Sequence, residues 1–484
     1  MFKRILKSQY LWLSMILVFG FIVRLYRIRN PIADWHSWRQ ADTASVSKTF
    51  VKEGVNLLYP RYQDISSIQT GINNPQGYRF VEFPIFNAVH AILAGTFPQL
   101  SLEVWGRLVS IFSSLISACL LFLIGRRFIG KLGGILAAFF FAFLPYNIYF
   151  SRVILPEPMA NTFALLAIWL FVRFIDSEKL YQLLLSGLSF ALAILIKPFS
   201  IFFAVPMVYL AFDKYGVEGF LKNAKLLIRF LLFSVISLVP FLLWRGWISS
   251  YPVGVPFFTW VFNGDHIRFR PAFWRWIFGE RLGRLILGIW GILPFSLGVF
   301  KSERKNLFIQ FFLLGMFLYV ATVATANVRH DYYQIFIIPA VSLALAKGAD
   351  YLIKGKEFAS WVSRAVLAFS VLMMIGMGTY YIKDFYNINH PEIIEAGKAV
   401  DLIAAKDALV VAPYNGDTAF LYQTNRWGWP AIDNSIDNII ERGADYYVSV
   451  TPGDADTQAI AKRFVMVKQT SRYVIIDLHQ SKRQ

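Results

Sequence analysis

The segment that follows the first apolar stretch of the chain concentrates side chains able to do acid–base chemistry. Within "DWHSWRQAD", from Asp34 to Asp42, lie two carboxylates, an imidazole, two indoles and a guanidinium. A carboxylate at the rim of a membrane can orient an acceptor hydroxyl and take its proton. We therefore treat Asp42 as a candidate general base, and Asp34, which follows Pro31, as a turn residue. Arg39 is expected to brace the loop or to meet a phosphate.

Further ionisable residues stand at the ends of later apolar segments, in "RFVEFP", "YFSRVILPEPMANTF", "AILIKPFS" and "NVRHDYYQIFIIP". A charge at membrane depth costs several kcal/mol unless it is paired or hydrated, so such residues are functional hypotheses by default. The candidates in these pieces are Glu82, Arg152, Glu157, Lys197, Arg329, His330 and Tyr333.

The mixture of acids and bases predicts attack by an acceptor on an anionic donor held by a lipid. A carboxylate would activate the acceptor, while Lys and Arg would hold a lipid phosphate and stabilise its charge as it leaves. Structural alternatives stay open at this stage. Asp42 could cap a helix that begins after it, Glu157 could complement a helix dipole, and Lys197 could extend to the membrane surface.

The composition places the chain among membrane proteins. Of its 484 residues, 56% are hydrophobic and only 16% are charged, against about 25% charged in soluble proteins. The net charge of +18 would suggest nucleic acid on a soluble protein. In a membrane protein it is explained by Lys and Arg at cytoplasmic loops and by anionic lipid headgroups, so no nucleic-acid partner is expected.

About eleven segments approach the roughly 20 apolar residues that span a bilayer. They are 9–27, 105–124, 132–150, 158–175, 182–197, 199–212, 227–247, 284–300, 306–325, 333–347 and 363–382. An N-terminus inside the cell puts basic residues in every short inner loop, as the positive-inside rule requires. The long loops 28–104 and 248–283, all the candidate residues and the C-terminal tail then lie outside.

The composition changes near Tyr386. "HPEIIEAGKAVDLIAA" and "SIDNIIERGA" have helical spacing, whereas "ALVVAPY", "DYYVSVTP" and the two halves of "FVMVKQTSRYVIIDL" have the pattern of strands. The prediction is a transmembrane domain over 1–385, followed by a small extracytoplasmic α/β domain over 386–484. The fold class is thus an all-α polytopic membrane protein with a small C-terminal α/β domain.

At these motifs the chain resembles the C-type glycosyltransferases that use lipid-phosphate sugars, in the branch of protein O-mannosyltransferases and the lipid A aminoarabinose transferase. The resemblance rests on "RQADTASVSKTF", "RFVEFPIFNAV", "SRVILPEPMANTF", "AILIKPF" and "RHDYYQIFIIPA", in the family's order. It departs from relatives at Thr43, where many have a second acid, and at Phe83, where the aminoarabinose branch has Lys.

The resemblance implies roles for several candidates. Asp42 and Glu157 correspond to the catalytic acids of the first and second outer loops. Lys197 corresponds to a contact of the donor's phosphate, Arg329 or His330 to a further one, and Glu82 to an acid near the acceptor or metal region. Tyr333 is also expected at the donor's phosphate, and Arg39, Glu82 and Arg152 are expected to bind the acceptor or to support the site. A divalent cation, Mg or Mn, held by Asp42 and Glu157 is a further expectation, since both metals favour carboxylate oxygens.

The sequence thus predicts an inverting transferase of the plasma membrane that moves one sugar from a polyprenyl-phosphate donor. The acceptor is an envelope glycan, lipid or protein, and membrane lipids surround the enzyme. Asp42 and Glu157 are expected to share one cavity. A transporter or flippase, an oligosaccharide polymerase or ligase, and an inactive scaffold are the alternatives. Transporters usually show repeated halves, and no repeat is evident here.

Overall fold

The computed structural model describes residues 8–301, 306–355 and 357–481. These residues divide into two compact units. We call residues 8–28, 107–244 and 258–384 the helical unit, and residues 29–106, 245–257 and 385–481 the mixed unit. The N-terminal residues 1–7 and residues 302–305, which belong to a predicted inner loop, lie outside the described residues, and the orientation stays a prediction.

The helical unit consists of helices joined by short connections. Its α-helices are Gln9–Arg24, Leu102–Phe128, Lys131–Phe143, Pro145–Phe150, Glu157–Ser177, Leu180–Ile196, Ala204–Lys222, Ala224–Ile248, Pro271–Arg275, Ile292–Phe300, Phe308–Thr322, Ala324–Arg329, Ile338–Lys354 and Ser360–Ile382. Four 3₁₀ helices, Pro198–Phe203, Thr259–Val261, Ile267–Phe269 and Asp331–Ile337, and the π-helix Trp276–Ile286 complete it. The first residues of Leu102–Phe128 and the last of Ala224–Ile248 belong to the mixed unit.

Among the described residues, six helices are long and apolar enough to cross a membrane by length and composition. Shorter apolar helices include Gln9–Arg24, Lys131–Phe143, Leu180–Ile196 and Phe308–Thr322. Each of the eleven predicted segments contains helix. The number that actually spans the bilayer stays a prediction.

Small residues allow two helices of this unit to pack with their backbones in contact. A Cβ added at Gly298 would lie 1.8 Å from the carbonyl oxygen of Ala344, and one at Gly348 would lie 1.8 Å from that of Pro294. Lipid tails are as apolar as Leu, so helices in a membrane associate through this kind of close van der Waals packing. Helix Ile292–Phe300 is therefore fixed against helix Ile338–Lys354.

The mixed unit combines the first long loop with the C-terminal residues. Its α-helices are Ser37–Glu53, Ile85–Thr96, Pro391–Ile403, Thr418–Gln423, Ile436–Glu441 and Ala455–Arg463, with 3₁₀ turns at Pro252–Gly254 and Lys383–Tyr386. Its strands are β1 (Leu409–Val411), β2 (Trp427–Trp429), β3 (Ala444–Ser449), β4 (Phe464–Gln469) and β5 (Val474–Ser481). The division after residue 384 lies beside the change in composition noted near Tyr386.

The five strands form one sheet in the order β2-β1-β3-β5-β4. β1 runs parallel to β2 and β3, whereas β5 is antiparallel to β3 and β4. The core of the sheet includes Trp429, Tyr447 and Ile476. The small C-terminal α/β fold is confirmed, together with the helices and strands predicted from their patterns. The sequence did not predict β2 or the helices Thr418–Gln423 and Ala455–Arg463.

Backbone hydrogen bonds explain why the first long loop and the C-terminal residues form one unit. The amide of Ile65 donates to the carbonyl of Gly428 over 3.0 Å, and the amide of Gly428 donates to Gln63 over 3.0 Å. Residues 63–65 therefore pair with β2 at the edge of the sheet. A strand edge presents unpaired backbone groups, and the loop satisfies them.

Candidate functional site

Asp42 lies inside a helix and does not cap one. Helix Ser37–Glu53 begins five residues before it, after His36, which has a left-handed backbone with φ 55°. Asp42 is 1% exposed. The capping alternative is therefore wrong, since a carboxylate in the second turn cannot bond the free amides of the helix start. Its side chain instead points into the interior of the mixed unit.

Two partners hold the Asp42 carboxylate, one on each oxygen. Arg79 Nη2 lies 2.5 Å from Asp42 Oδ2, and Thr418 Oγ1 donates to Asp42 Oδ1 over 2.7 Å. Each carboxylate oxygen accepts up to about two hydrogen bonds, so one acceptor position on each remains by count. We call Asp42, Arg79 and Thr418 the Asp42 cluster. The two partners fix the orientation of the carboxylate, which a general base requires.

Arg79 and Thr418 were not predicted from the sequence. Arg79 stands in the quoted motif "RFVEFP", three residues before Glu82, and this proximity was the signal that could have found it. Thr418 comes from the far end of the chain and begins the short helix Thr418–Gln423, which Asp417 caps by accepting from the amide of Ala419 over 2.7 Å. No sequence pattern points from Thr418 to Asp42.

A second ion pair accompanies the first. Arg39 Nη2 donates to Glu82 Oε1, and the Arg39 and Glu82 side chains are 5% and 12% exposed. Arg39 precedes Asp42 by one helical turn, and Arg79 precedes Glu82 by the same spacing. The helix and the segment that contains Arg79 and Glu82 thus each contribute one acid and one base to the two ion pairs. The predicted roles of Arg39 and Glu82 in acceptor binding stay predictions.

Asp34 does more than form a turn. It lies in the bend that leads to helix Ser37–Glu53, but its side chain is only 4% exposed and accepts from Gln40 Nε2 over 2.7 Å. Nearby, Trp35 stacks on Phe385 at 4.9 Å between ring centroids. The motif residues around Asp42 therefore also fix the start of its helix.

Two further carboxyls of the mixed unit have raised pKa values. Burial raises the pKa of Asp64 to about 6, with a smaller contribution from the charge of Asp42, against hydrogen bonds from Ser66 that lower it. Burial likewise raises the pKa of Asp417 to about 6, and the charge of Asp42 adds to the effect. Burial disfavours the charged guanidinium of Arg79, yet the Asp42 carboxylate raises the pKa of Arg79 above its usual value.

In the helical unit, Glu157 and Lys197 form a buried ion pair. Lys197 Nζ lies 2.7 Å from Glu157 Oε1, and the two side chains are 6% and 1% exposed respectively. Glu157 is the first residue of helix Glu157–Ser177. Lys197 ends helix Leu180–Ile196 in an extended conformation, which the following Pro198 favours. Because Lys197 is buried, the alternative that it extends to the membrane surface is wrong.

The late aromatic motif places Tyr333 beside this pair. Lys197 Nζ lies 5.8 Å from the centroid of the Tyr333 ring, within the range of a cation–π contact. The 3₁₀ helix Asp331–Ile337 is held in place by two tyrosines: Tyr319 donates to the carbonyl of Tyr333 over 3.0 Å, and Tyr146 donates to that of Asp331 over 2.6 Å. We call Glu157, Lys197 and Tyr333 the Glu157 cluster.

The remaining predicted residues of the helical unit take different positions. The His330 ring centroid lies 6.3 Å from that of Tyr333, so His330 adjoins the Glu157 cluster. Arg329 is largely exposed, with Nη2 3.6 Å from Asp265 Oδ2. Arg152 is fully buried and donates from Nη2 to the carbonyl of Arg27 over 3.0 Å. Their predicted functions stay predictions, as does the shared cavity of Asp42 and Glu157.

No cluster of ligands for the expected divalent cation is found within residues 8–301, 306–355 and 357–481. In these ranges no group of three or more His, Cys, Asp or Glu side chains is placed to hold a metal. Asp42 and Glu157, the two carboxylates predicted as ligands, are each bound by a cationic side chain. No step of a reaction is therefore assigned to a metal, and the cation stays a prediction.

Comparison with known proteins supports the resemblance inferred from the motifs. Residues 86–244 match the family model of dolichyl-phosphate-mannose-protein mannosyltransferases. That region contains Glu157 and Lys197 but not Asp42 or Glu82. A search of the curated proteins found no match to the sequence.

Solved structures share the fold over almost the whole chain. ArnT from Cupriavidus metallidurans in the apo state is similar with a TM-score of 0.65 and 12% identity, over 96% of this chain and 97% of that one. Its structure bound to undecaprenyl phosphate gives 0.60, with the same identity and coverage. The chain has the C-type glycosyltransferase fold. The mycobacterial arabinofuranosyltransferase AftD is also similar, with a TM-score of 0.57 and 12% identity, over 97% of this chain and 40% of that one.

The C-type glycosyltransferase fold confirms the predicted fold class and makes the chain a multi-pass membrane protein. At identities of 12% the similarity concerns the fold. Activity has to be argued from the residues that the fold positions.

Proposed function

We propose that the protein is an inverting glycosyltransferase that moves a single sugar from a polyprenyl-phosphate donor to a lipid, glycan or protein of the cell envelope. The observation that carries the proposal is the Asp42 cluster, a buried carboxylate oriented by Arg79 and Thr418 in a chain with the C-type glycosyltransferase fold. A carboxylate so oriented suits a general base, which contributes about 10²–10⁴-fold to rate.

In the proposed reaction, an acceptor hydroxyl gives its proton to Asp42 as its oxygen attacks the anomeric carbon of the donor. The bond from that carbon to the phosphate oxygen breaks on the opposite face of the sugar, and the phosphate keeps the electron pair. The configuration at the anomeric carbon is therefore inverted. Glu157 is proposed as the acidic partner, and its ion pair with Lys197 fixes the position of the lysine.

Support for the donor comes from the solved structure of ArnT, which is bound to undecaprenyl phosphate. The phosphate is proposed to be bound by cationic and aromatic side chains, which stabilise its charge as it leaves: Lys197, Arg329, His330 and Tyr333. Hydrogen-bond donors and charges that are already in position stabilise such a charge strongly where water is excluded. The proposed location is the plasma membrane, with the N-terminus inside and the mixed unit outside.

The test begins with the purified full-length protein. Mass spectrometry of co-purified lipid is expected to find a polyprenyl-phosphate sugar, and that sugar lipid is then supplied to membranes that contain the acceptor. Asp42→Asn is expected to lower transfer by about 10²-fold or more. Asp456→Asn, which changes an exposed carboxylate of the mixed unit, is the matched control and is expected to keep the wild-type rate.

The alternatives predict different products. An oligosaccharide ligase adds a block of sugars, which the mass of the product reveals. A transporter or flippase moves labelled lipid across proteoliposomes and forms no glycosidic bond. Full transfer activity of a well-folded Asp42→Asn protein would remove the proposed role of Asp42.

A further inference from the structure

The mixed unit contains a cavity that the proposed reaction does not use. It has a volume of about 540 Å³ and lies at the C-terminal end of helix Ser37–Glu53. Asp42 stands near the other end of the same helix, eleven residues from Glu53, or about 16 Å along the helix axis. The cavity is therefore separate from the Asp42 cluster but is built on the same element.

Tyrosines form the apolar part of its wall. The ring centroids of Tyr59, Tyr78 and Tyr251 lie 5.5–5.9 Å apart, and the hydroxyls of Tyr59 and Tyr251 are 3.0 Å apart. Trp247 packs behind them, at 5.7 Å from Tyr59 and 5.6 Å from Tyr251. All three tyrosines are half-buried. Such rings are fixed by their neighbours and still offer part of their surface to a ligand.

Polar side chains complete the lining. Glu53 and Arg61 form an ion pair of 2.9 Å, with both side chains 37% exposed. Arg61 is also held by the carbonyl of Gln76 at 2.8 Å. Asn56 accepts from the amides of Leu58 and Tyr59 over 3.2 and 3.3 Å. These contacts fix one carboxylate, one guanidinium and one side-chain amide around the aromatic wall.

This combination selects a class of ligand. A sugar ring offers C–H groups on its faces, which pack on aromatic rings, and hydroxyls around its edge, which bond carboxylates, guanidinium groups and amides. Tyrosine suits such a surface because its body is apolar and its tip is polar. The paired charges of Glu53 and Arg61 cancel, which favours an uncharged ligand over a phosphate or an acidic chain.

The backbone connects the cavity to the Asp42 cluster. Arg61 and Tyr78 form an antiparallel bridge, and the next residues along the same two segments are Tyr62 and Arg79. Successive residues of an extended segment point to opposite faces. Arg61 and Tyr78 therefore line the cavity, while the Arg79 guanidinium lies over the Tyr62 ring at 4.9 Å and reaches Asp42.

We infer that this cavity is a binding site for neutral sugar units of a glycan acceptor, away from the unit that receives the new sugar. That the bound glycan is an acceptor rests on the proposed function, whereas the binding of neutral sugars does not. The two bridged segments, which contain Arg61 and Tyr78, contribute both to the cavity and to the Asp42 cluster. A glycan in the cavity would therefore be held in a defined position relative to Asp42.

The experiment measures binding by calorimetry to the full-length protein in detergent, without any donor. The probes are cellotetraose and mannotriose as neutral oligosaccharides, a galacturonate trimer as an acidic one, and an uncharged heptapeptide. We expect a neutral oligosaccharide to bind and the double variant Tyr59→Ala/Tyr78→Ala to weaken its binding by about tenfold or more, given the size of aromatic contributions. Tyr446→Ala, at another half-buried tyrosine of the mixed unit, is expected to leave the affinity unchanged.

A second variant guards against loss of folding. Glu53→Gln/Arg61→Gln removes a partly exposed ion pair and the bond from Arg61 to the carbonyl of Gln76, and is expected to weaken the same binding severalfold with little change in the melting temperature. The inference is overturned if no neutral oligosaccharide binds, if the heptapeptide or the acidic trimer binds in its place, or if binding survives both double variants. If a neutral oligosaccharide binds to Asp42→Asn but the wild type transfers no sugar, the proposed function is overturned and the inferred binding site is retained.

Discussion

Arg79 Nη2 lies 2.5 Å from Asp42 Oδ2 in a buried ion pair, with side chains 7% and 1% exposed. The two residues are 37 positions apart in the chain, so the pair joins helix Ser37–Glu53 to the segment that follows it. Removing one partner of a buried pair leaves an uncompensated charge and costs about 3–5 kcal/mol, whereas removing both costs much less.

From this pair we predict a stability cycle. Arg79→Met is expected to lower the thermal midpoint of the purified protein strongly, because it leaves the Asp42 charge buried. Arg79→Met/Asp42→Asn is expected to regain much of the loss, with a coupling free energy on the order of 0.5–3 kcal/mol. Thermal unfolding followed by intrinsic fluorescence measures both. Strictly additive losses would mean that the pair does not act as a unit.

Thr418 is predicted to position Asp42 for catalysis. Thr418→Val keeps the size of the side chain but removes the hydrogen bond to Asp42 Oδ1, a bond to a charged group worth about 1.5–3 kcal/mol. We expect kcat to fall by about tenfold or more, with little change in the KM for the donor, and Thr418→Ser to restore it. A change confined to KM would assign Thr418 to donor binding instead.

Lys197 is predicted to have two separable roles. Lys197→Met removes the cation that pairs with the buried carboxylate of Glu157. Both thermal stability and transfer are therefore expected to fall. Lys197→Met/Glu157→Gln is expected to recover stability but not transfer, because the cation proposed for the phosphate is still missing. Lys222→Met, at an exposed ion pair, serves as the control. Recovered transfer in the double variant would show that Lys197 acts only on Glu157.

Asp64 is predicted to make stability depend on pH. Its pKa is about 6 in the folded protein against the usual 3.8 of an aspartate, so between about pH 4 and pH 6 the folded state binds a proton that the unfolded state has lost. The free energy of unfolding contributed by Asp64 is therefore full below this range and falls as the pH rises through it, by about 3 kcal/mol.

Thermal midpoints measured from about pH 4 to pH 7 test this pH dependence. Asp64→Asn is expected to flatten the decline, while Asp456→Asn, at an exposed carboxylate, is expected to leave it unchanged. An identical slope in Asp64→Asn would mean that other groups, such as Asp417 with its own raised pKa, carry the dependence.

The sequence by itself determined the membrane class, the helical segments and the position of the acids and bases along the chain. These follow from local rules. The length of an apolar segment indicates whether it can span the bilayer, and the hydrophobic period distinguishes helix from strand. A charged residue at membrane depth is costly and therefore indicates a functional candidate. The motifs around Asp42, Glu157 and Lys197 also identified the fold, because their order along the chain is a property of the sequence alone.

Only the tertiary structure decided which groups meet. Asp42 finds Arg79 from a neighbouring segment and Thr418 from the opposite end of the chain, and Glu157 finds Lys197 across two helices. A partner chosen by long-range packing leaves no mark in local periodicity or spacing, because it depends on how distant segments fold against one another. For the same reason the sequence left open that Asp42 caps a helix, whereas the structure buries it inside the helix and gives its carboxylate two partners.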